Sequence, residues 1–318
     1  MDAIWDCVVV GGGAAGLSAA LVLGRARRRT LVVDAGAQSN LSAHGIGGLL
    51  GFDGRTPAEL YAAGRAELAA YPSVEVRIGE VVDAQRADDG FALLLQDGRR
   101  VATRRIVLAG GMSYDVPALA GVDRLWGRSV FHCPFCHGWE VRDQPVAVLA
   151  RGPRAVHAAL LLRGWSDDVV VLTDGPADLG SEDRARLTAA GVDIDERTVA
   201  GLRIVDDGLE AIEFAEGASI DRRALMVTPR LRQRSPLAAQ LGVRFQESHP
   251  LAEDAVAVDE MQRTSVPGVF AAGDVCVQVP QVAAAVAAGS LAGASVMQTL
   301  MADDHGLPVP EWKEHVNV

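Results

Sequence analysis

Ile4 to Val10 is a short valine-rich apolar run, the pattern of a strand buried on both faces. It breaks into Gly11-Gly12-Gly13-Ala14-Ala15-Gly16, after which Leu17 to Arg27 has the composition of a helix. Thr30 to Val33 is a second apolar strand, ending in Asp34. Asn40 to Arg55 is glycine-rich, contains His44 and reads as a loop. Pro57 opens a helix with Glu59 in its first turn that runs to about Ala70. Val74 to Ile78, Glu80 to Asp83, Phe91 to Gln96 and Val101 to Thr103 alternate or run apolar, with hairpin turns at Asp89-Gly90 and Asp97-Gly98. Arg105 to Ala109 is another buried strand, ending in Gly110-Gly111.

Val116-Pro117 opens a region that repeats this plan. Pro145 to Ala150 is a strand, Arg151-Gly152-Pro153-Arg154-Ala155 turns into a helix through about Arg163, and Asp168 to Leu172 is a strand ending in Thr173-Asp174-Gly175. Arg184 to Ala190 reads as helix, and Val192 to Ile194, Leu202 to Val205, Leu209 to Phe214 and Ala224 to Val227 as strands. Gly268 to Ala272 is an apolar strand that runs into Gly273-Asp274, and Gln281 to Thr299 is a long helix of small residues. Pro308 to Val318, with Trp312 and His315, is an exposed tail that Trp312 docks. Strands alternating with helices predict an α/β chain with parallel sheets, organised as two dinucleotide-type folds.

The first glycine run has a physical task at each position. Gly11 allows the tight turn, Gly13 lets backbone approach a pyrophosphate, and Gly16 lets the helix pack close to the strand. The helix start at Ala14 and Ala15 then offers unpaired N–H groups and a positive dipole end, and Asp34 accepts hydrogen bonds from a ribose. Asp274, just past a strand end, suits a polyol hydroxyl. In the second region Ala150, Gly152 and Ala155 stand where the three glycines belong. Alanine at the first position is unfavourable where the turn needs a conformation only glycine reaches cheaply. No arginines follow Asp174, as a 2′-phosphate requires. NADPH is therefore poorly supported, and NADH remains possible through Asp174.

At 318 residues, half of them apolar, the chain has the size and composition of a two-domain globular protein. A net charge of -11 argues against a nucleic-acid partner. Arg25, Arg27, Arg28 and Arg29 cluster where the first helix ends, which helix-dipole complementarity explains. The first residues carry no basic leader, and the apolar runs break at glycine or charge short of a bilayer span. The expectation is a cytoplasmic protein with no membrane partner.

Two of the four cysteines lie in His132-Cys133-Pro134-Phe135-Cys136-His137-Gly138-Trp139-Glu140. Cysteines three apart can bring their sulfurs to bonding distance with little strain, and in a reducing compartment this spacing means redox or metal chemistry. A zinc half-site lacks its second pair here, and a purely structural disulfide leaves the dinucleotide turns unexplained. A thiolate does the attacking, so a neighbour must lower a thiol pKa or take its proton. His137 is the candidate acid–base group, and His132 is either a second one or a packing residue. Phe135 and Trp139 read as local packing, and Cys7 and Cys276 as buried free thiols.

Gly11 to Gly16, Asp34, Ala109 to Gly111, the Cys133/Cys136 pair and Gly268 to Asp274, in this order, resemble the low-molecular-weight thioredoxin reductases. The resemblance implies two Rossmann-like domains: a discontinuous FAD-binding domain at 1–115 and 245–318, and an NAD(P)-binding-like domain at 116–244 that carries the cysteines. It implies a homodimer. It places Gly11, Gly13, Ala14, Ala15 and Gly16 on the FAD pyrophosphate, Asp34 on the adenosine ribose, and Ala109 and Gly110 in the same site. It also places Gly273 and Asp274 on the ribityl chain, and Gln281 and Val282 near the flavin ring. In the family Cys136 contacts the flavin and Cys133 exchanges with substrate. NADPH-using members carry an acid directly after the second cysteine, where this chain has His137. The run from Cys133 to Glu140, with Trp165 and Asp167-Asp168, is more similar to the gliotoxin- and holomycin-type dithiol oxidases, which close small-molecule disulfides and pass electrons to O2. The expected function is FAD-dependent oxidation of a small-molecule dithiol. The alternatives are reduction of a protein disulfide with NAD(P)H or ferredoxin, and a flavin-bound redox sensor that does not turn over.

Overall fold

The chain divides into two units: Met1–Leu41, Arg55–Ser113 and Leu231–Val318 form the first, and Ser42–Gly54 and Tyr114–Arg230 the second. The computed structural model describes residues 4–248, 250–276 and 280–313.

The first unit is built on a seven-stranded sheet. Val74–Ile78, Thr30–Asp34, Trp5–Val10 and Arg100–Leu108 lie side by side in parallel. Arg100–Leu108 is one strand, where the sequence suggests two. Its first half pairs antiparallel with Gly90–Leu95 and its second half parallel with Val269–Ala271, so a single strand feeds both a hairpin and the parallel core. Alternation along the strands sends residues to opposite faces. Cys7, Val9 and Val32 meet the helices Ala14–Arg25 and Val282–His305, while Val8, Leu31 and Val33 pack with the hairpins and with Leu237, Val256 and Val258.

The two helices meet through glycine. A Cβ on Gly289 would stand 2.0 Å from the Ala15 carbonyl oxygen, and one on Gly293 2.7 Å from that of Ala19. The long helix runs past Thr299 to His305 and stops at Gly306 in the left-handed region (φ 64°). By length and composition it could cross a bilayer, with a mean hydropathy of 1.4 over its most apolar stretch, where the sequence reading finds no such run. Its small residues serve the helix crossing. Near the C-terminus Trp312 donates its indole N–H to the Arg263 carbonyl at 2.9 Å. His315 lies outside the described residues.

In the second unit a five-stranded parallel sheet runs in the order Asp193–Asp195, Val169–Leu172, Val146–Leu149, Ala224–Val227, Val130–Phe131. The helix Gly152–Leu162 buries Ala155, Val156 and Ala159 against it. Val199–Val205, Gly208–Phe214 and Ser219–Asp221 form a separate antiparallel sheet. The unit ends at Arg230 and not at 244, because Leu237, Ala238 and Val243 are buried in the core of the first unit. It also takes in Ser42–Gly54.

Candidate active site

Cys133 and Cys136 are joined in a disulfide, with Cα atoms 5.3 Å apart. Pro134–His137 forms one helical turn, with Pro134 at its first position, where a missing N–H leaves no bond unmade. Cys133 enters in extended backbone, and its carbonyl accepts from the Cys136 and His137 N–H groups, each at 3.2 Å. A Cβ on Gly47 would stand 2.6 Å from the Cys136 carbonyl oxygen, so the Ser42–Gly54 loop packs flush on the redox turn only with glycine there. Cys133 is 8% exposed and Cys136 half-buried. Phe135 and Trp139 are not packed inward as the sequence suggests: they are 60% and 66% exposed. Each is braced on one side, Phe135 edge-on to Trp165 at 5.5 Å and Trp139 by the Arg142 guanidinium at 4.0 Å.

The flanking histidines differ. His132 completes a triangle of rings with Tyr114 and Trp126, tilted on the first at 4.8 Å and stacked on the second at 5.8 Å between centroids. Burial, with the nearby His137, holds its pKa at about 4, so the ring is neutral in ordinary buffers. His137 stacks on Phe131 at 5.4 Å, and its Nε2 lies 3.2 Å from the Gly127 carbonyl. A carbonyl only accepts, so Nε2 carries the proton and a neutral ring leaves Nδ1 as a lone pair. Nδ1 is buried and has no partner of good geometry among the described residues. Burial lowers the His137 pKa, outweighing the Gly127 carbonyl, Glu140 and the Cys133 backbone, which pull the other way. Burial raises the Cys7 and Cys276 thiols far above their usual range, so neither is a nucleophile.

In the first unit the glycine turn divides into positions the protein itself requires and one it does not. Gly11 has φ +107°, and a Cβ there would stand 2.3 Å from the Ala109 carbonyl oxygen. A Cβ on Gly16 would stand 1.8 Å from the Gly11 carbonyl oxygen. A Cβ on Gly12, which the motif reading leaves without a role, would stand 2.5 Å from the Asp34 carboxyl carbon. A Cβ on Gly13 would meet nothing closer than 3.8 Å, so its bareness answers to something other than the protein. Gly13 is also the N-cap of Ala14–Arg25 and provides no side-chain cap, so the Ala14 and Ala15 end of the helix stays open. A Cβ on Gly273 (φ +81°) would stand 2.9 Å from that of Ala15, a close approach that carries the Asp274 turn to the same helix start. Gln281 is the N-cap of Val282–His305, again without a side-chain cap bond. Gly11 to Gly16, Asp34, Ala109, Gly110, Gly273 and Asp274 thus converge on one end of the parallel sheet.

At the corresponding turn in the second unit the space beside Gly152 is open, with nothing within 4 Å of a Cβ built there, but the polar groups are paired within the chain. Gly152 adopts φ +58°, and its N–H donates to the Ala177 carbonyl at 3.2 Å. The amide that would meet a phosphate is therefore already paired. Arg151 donates to the Thr173 carbonyl at 2.6 Å and to the Asp174 carbonyl, with its guanidinium 3.6 Å from the Asp174 carboxylate. The other Asp174 oxygen accepts from the Val199 N–H at 3.0 Å. The acid that the sequence leaves open for an NADH ribose is held within the protein.

A fold with an open glycine turn and a second such fold carrying a redox disulfide define a disulfide oxidoreductase built on two dinucleotide-type units. The chain belongs to the pyridine nucleotide-disulphide oxidoreductase family, whose profile matches residues 5–289. It is 32% identical to thioredoxin reductase tcpT of Claviceps purpurea over 95% of this chain and 96% of that protein. The solved structure of HlmI matches with a TM-score of 0.90 at 40% identity, over 96% of this chain and 95% of that one. An oxidoreductase from Agrobacterium tumefaciens matches with a TM-score of 0.88 at 34% identity, over 94% and 99%. The protein is therefore an enzyme, a thioredoxin reductase-like disulfide oxidoreductase, and proteins of this family generally hold FAD.

Proposed function

We propose that the chain is an FAD-dependent dithiol oxidase that closes a small-molecule dithiol to a disulfide, with O2 reduced to hydrogen peroxide. The observation that carries the direction of electron flow is that the Gly152 N–H and the Asp174 carboxylate, the groups that would meet a nucleotide, are already engaged by the Ala177 carbonyl, Arg151 and the Val199 N–H. The open cradle at Gly13 supports FAD in the first unit. Gly11, Gly13, Ala14, Ala15 and Gly16 would hold its pyrophosphate and Asp34 its ribose. Ala109, Gly110, Gly273 and Asp274 would line the rest, with Gln281 and Val282 at the ring. Bound there, the flavin supplies a two-electron acceptor that O2 reoxidises.

The protein's own part begins when a substrate thiolate attacks Cys133. The Cys133–Cys136 bond breaks, a mixed disulfide forms on Cys133, and Cys136 leaves as a thiolate. The second substrate thiol displaces Cys133, so the substrate departs as a disulfide and both cysteines are reduced. His137 Nδ1, a neutral buried acceptor, takes the proton released by the attacking thiol. Cys133, only 8% exposed as a residue, suits a small molecule better than a protein surface. The family resemblance also supports a homodimer. A second reading, a ferredoxin-fed reductase of a protein disulfide, needs no nucleotide mouth and draws on the names of relatives such as tcpT.

Steady-state peroxide formation from dithiothreitol in air tests this reading. The enzyme is expected to release peroxide in proportion to dithiol consumed. Cys136→Ser is expected to keep its flavin and lose at least about a thousandfold in turnover, since no residual route replaces a missing redox partner. Unchanged turnover in that variant would remove the pair from the mechanism.

A further inference from the structure

Asp34 is 5% exposed and ends the second strand of the first unit. A buried carboxylate must have its lone pairs met, and the way they are met here is uneven. Oδ1 accepts from three donors: the Gly12 N–H at 3.2 Å, the Gly36 N–H at 3.1 Å and the Gln38 amide at 3.0 Å. Among the described residues Oδ2 accepts only from the Gln38 amide, at 3.0 Å. Oδ1 is therefore saturated, and Oδ2 has room for one more donor.

A ribose presents two neighbouring hydroxyls. An acid with both oxygens open takes both, but Asp34 as held here can take one. Gln38 changes the count. Its amide nitrogen is fixed by both Asp34 oxygens and by the Gly12 carbonyl at 3.3 Å. Its Oε1 has no protein donor among the described residues. Resting on the FAD reading, we infer that Gln38 is a second acceptor for the adenosine ribose. One hydroxyl donates to Asp34 Oδ2 and its neighbour to Gln38 Oε1. The three bonds on its nitrogen set the orientation of the amide, so the acceptor is in place before the ligand arrives. The same arrangement puts a carboxylate and a carbonyl oxygen where a 2′-phosphate would need cations.

The test compares FAD with FMN, which lacks the adenosine, by titrating the apoprotein and following flavin fluorescence. Gln38→Ala is expected to weaken FAD by about tenfold, the effect of one buried hydrogen bond, and to leave FMN affinity unchanged. Equal losses for both flavins would mean that Gln38 only props the loop, and no loss for either would mean that it makes no contact. Both results overturn the assignment. The wild-type chain gives a reading that needs no variant to fold. FAD made with 2′-deoxy- or 3′-deoxyadenosine should bind about tenfold more weakly in each case, because each hydroxyl has its own acceptor. Full affinity for either analogue contradicts the assignment. Failure of the wild type to bind FAD at all would overturn the flavin reading with it. FAD binding with an unaltered FAD-to-FMN ratio in the variant overturns only the role of Gln38.

Discussion

His132 and His137 bracket the same two sulfurs and are held neutral by burial, and His137 Nδ1 is buried without a hydrogen-bond partner of good geometry among the described residues. For His132 this has a consequence in stability. The unfolded chain takes a proton on this residue near its ordinary value of 6.5, and the folded chain only near about 4. Between those values the unfolded state binds more protons, so stability falls as the pH drops through the window and is fully present above it. At pH 5 the loss from this residue is about 2 kcal/mol. Thermal unfolding followed from pH 7 to pH 5 should show the decline, and His132→Phe should flatten it. An equally steep decline in the variant would place the cause elsewhere. His137 was legible in the sequence as the neighbour of the second cysteine. Its lone-pair nitrogen was not, because the tautomer depends on the Gly127 carbonyl, on a separate turn of chain. Gly12 and Gln38 were missed for a similar reason: their roles come from the Asp34 carboxyl across the turn.

At the scale of elements, the glycine turn separates what the fold requires from what a ligand requires. Gly16→Ala drives a methyl into the Gly11 carbonyl and should cost several kcal/mol of stability or abolish soluble expression. Gly13→Ala meets nothing closer than 3.8 Å and has an ordinary φ of -78°, so its melting temperature as apoprotein should match the wild type while flavin content falls. A Gly13→Ala protein that is unstable but retains flavin would reverse this division. The strand–turn–helix–strand plan of both units could be read from apolar runs and glycine alone. The elements that escaped were those too short to show a period, such as Val130–Phe131 and Ser219–Asp221. Two predicted strands proved to be the single Arg100–Leu108, because a strand that changes partners halfway changes its burial pattern there.

For the whole molecule, the question is where electrons enter. Sequence showed that the second glycine motif is degraded at Ala150, but not what stands in its place. A guanidinium and a carbonyl, from Arg151 and Ala177, occupy the groups that would meet a nucleotide, and a motif cannot report an interaction its own loop makes with a distant one. The account predicts that electrons enter from a dithiol through Cys133 and Cys136 and leave to O2. The most direct test is anaerobic stopped flow on the flavin-loaded enzyme, following absorbance near the flavin maximum. Dithiothreitol should bleach the flavin and a pulse of O2 should restore it, while NADPH and NADH leave it oxidised. Rapid bleaching by NADPH, with turnover of a thioredoxin disulfide, would contradict the account.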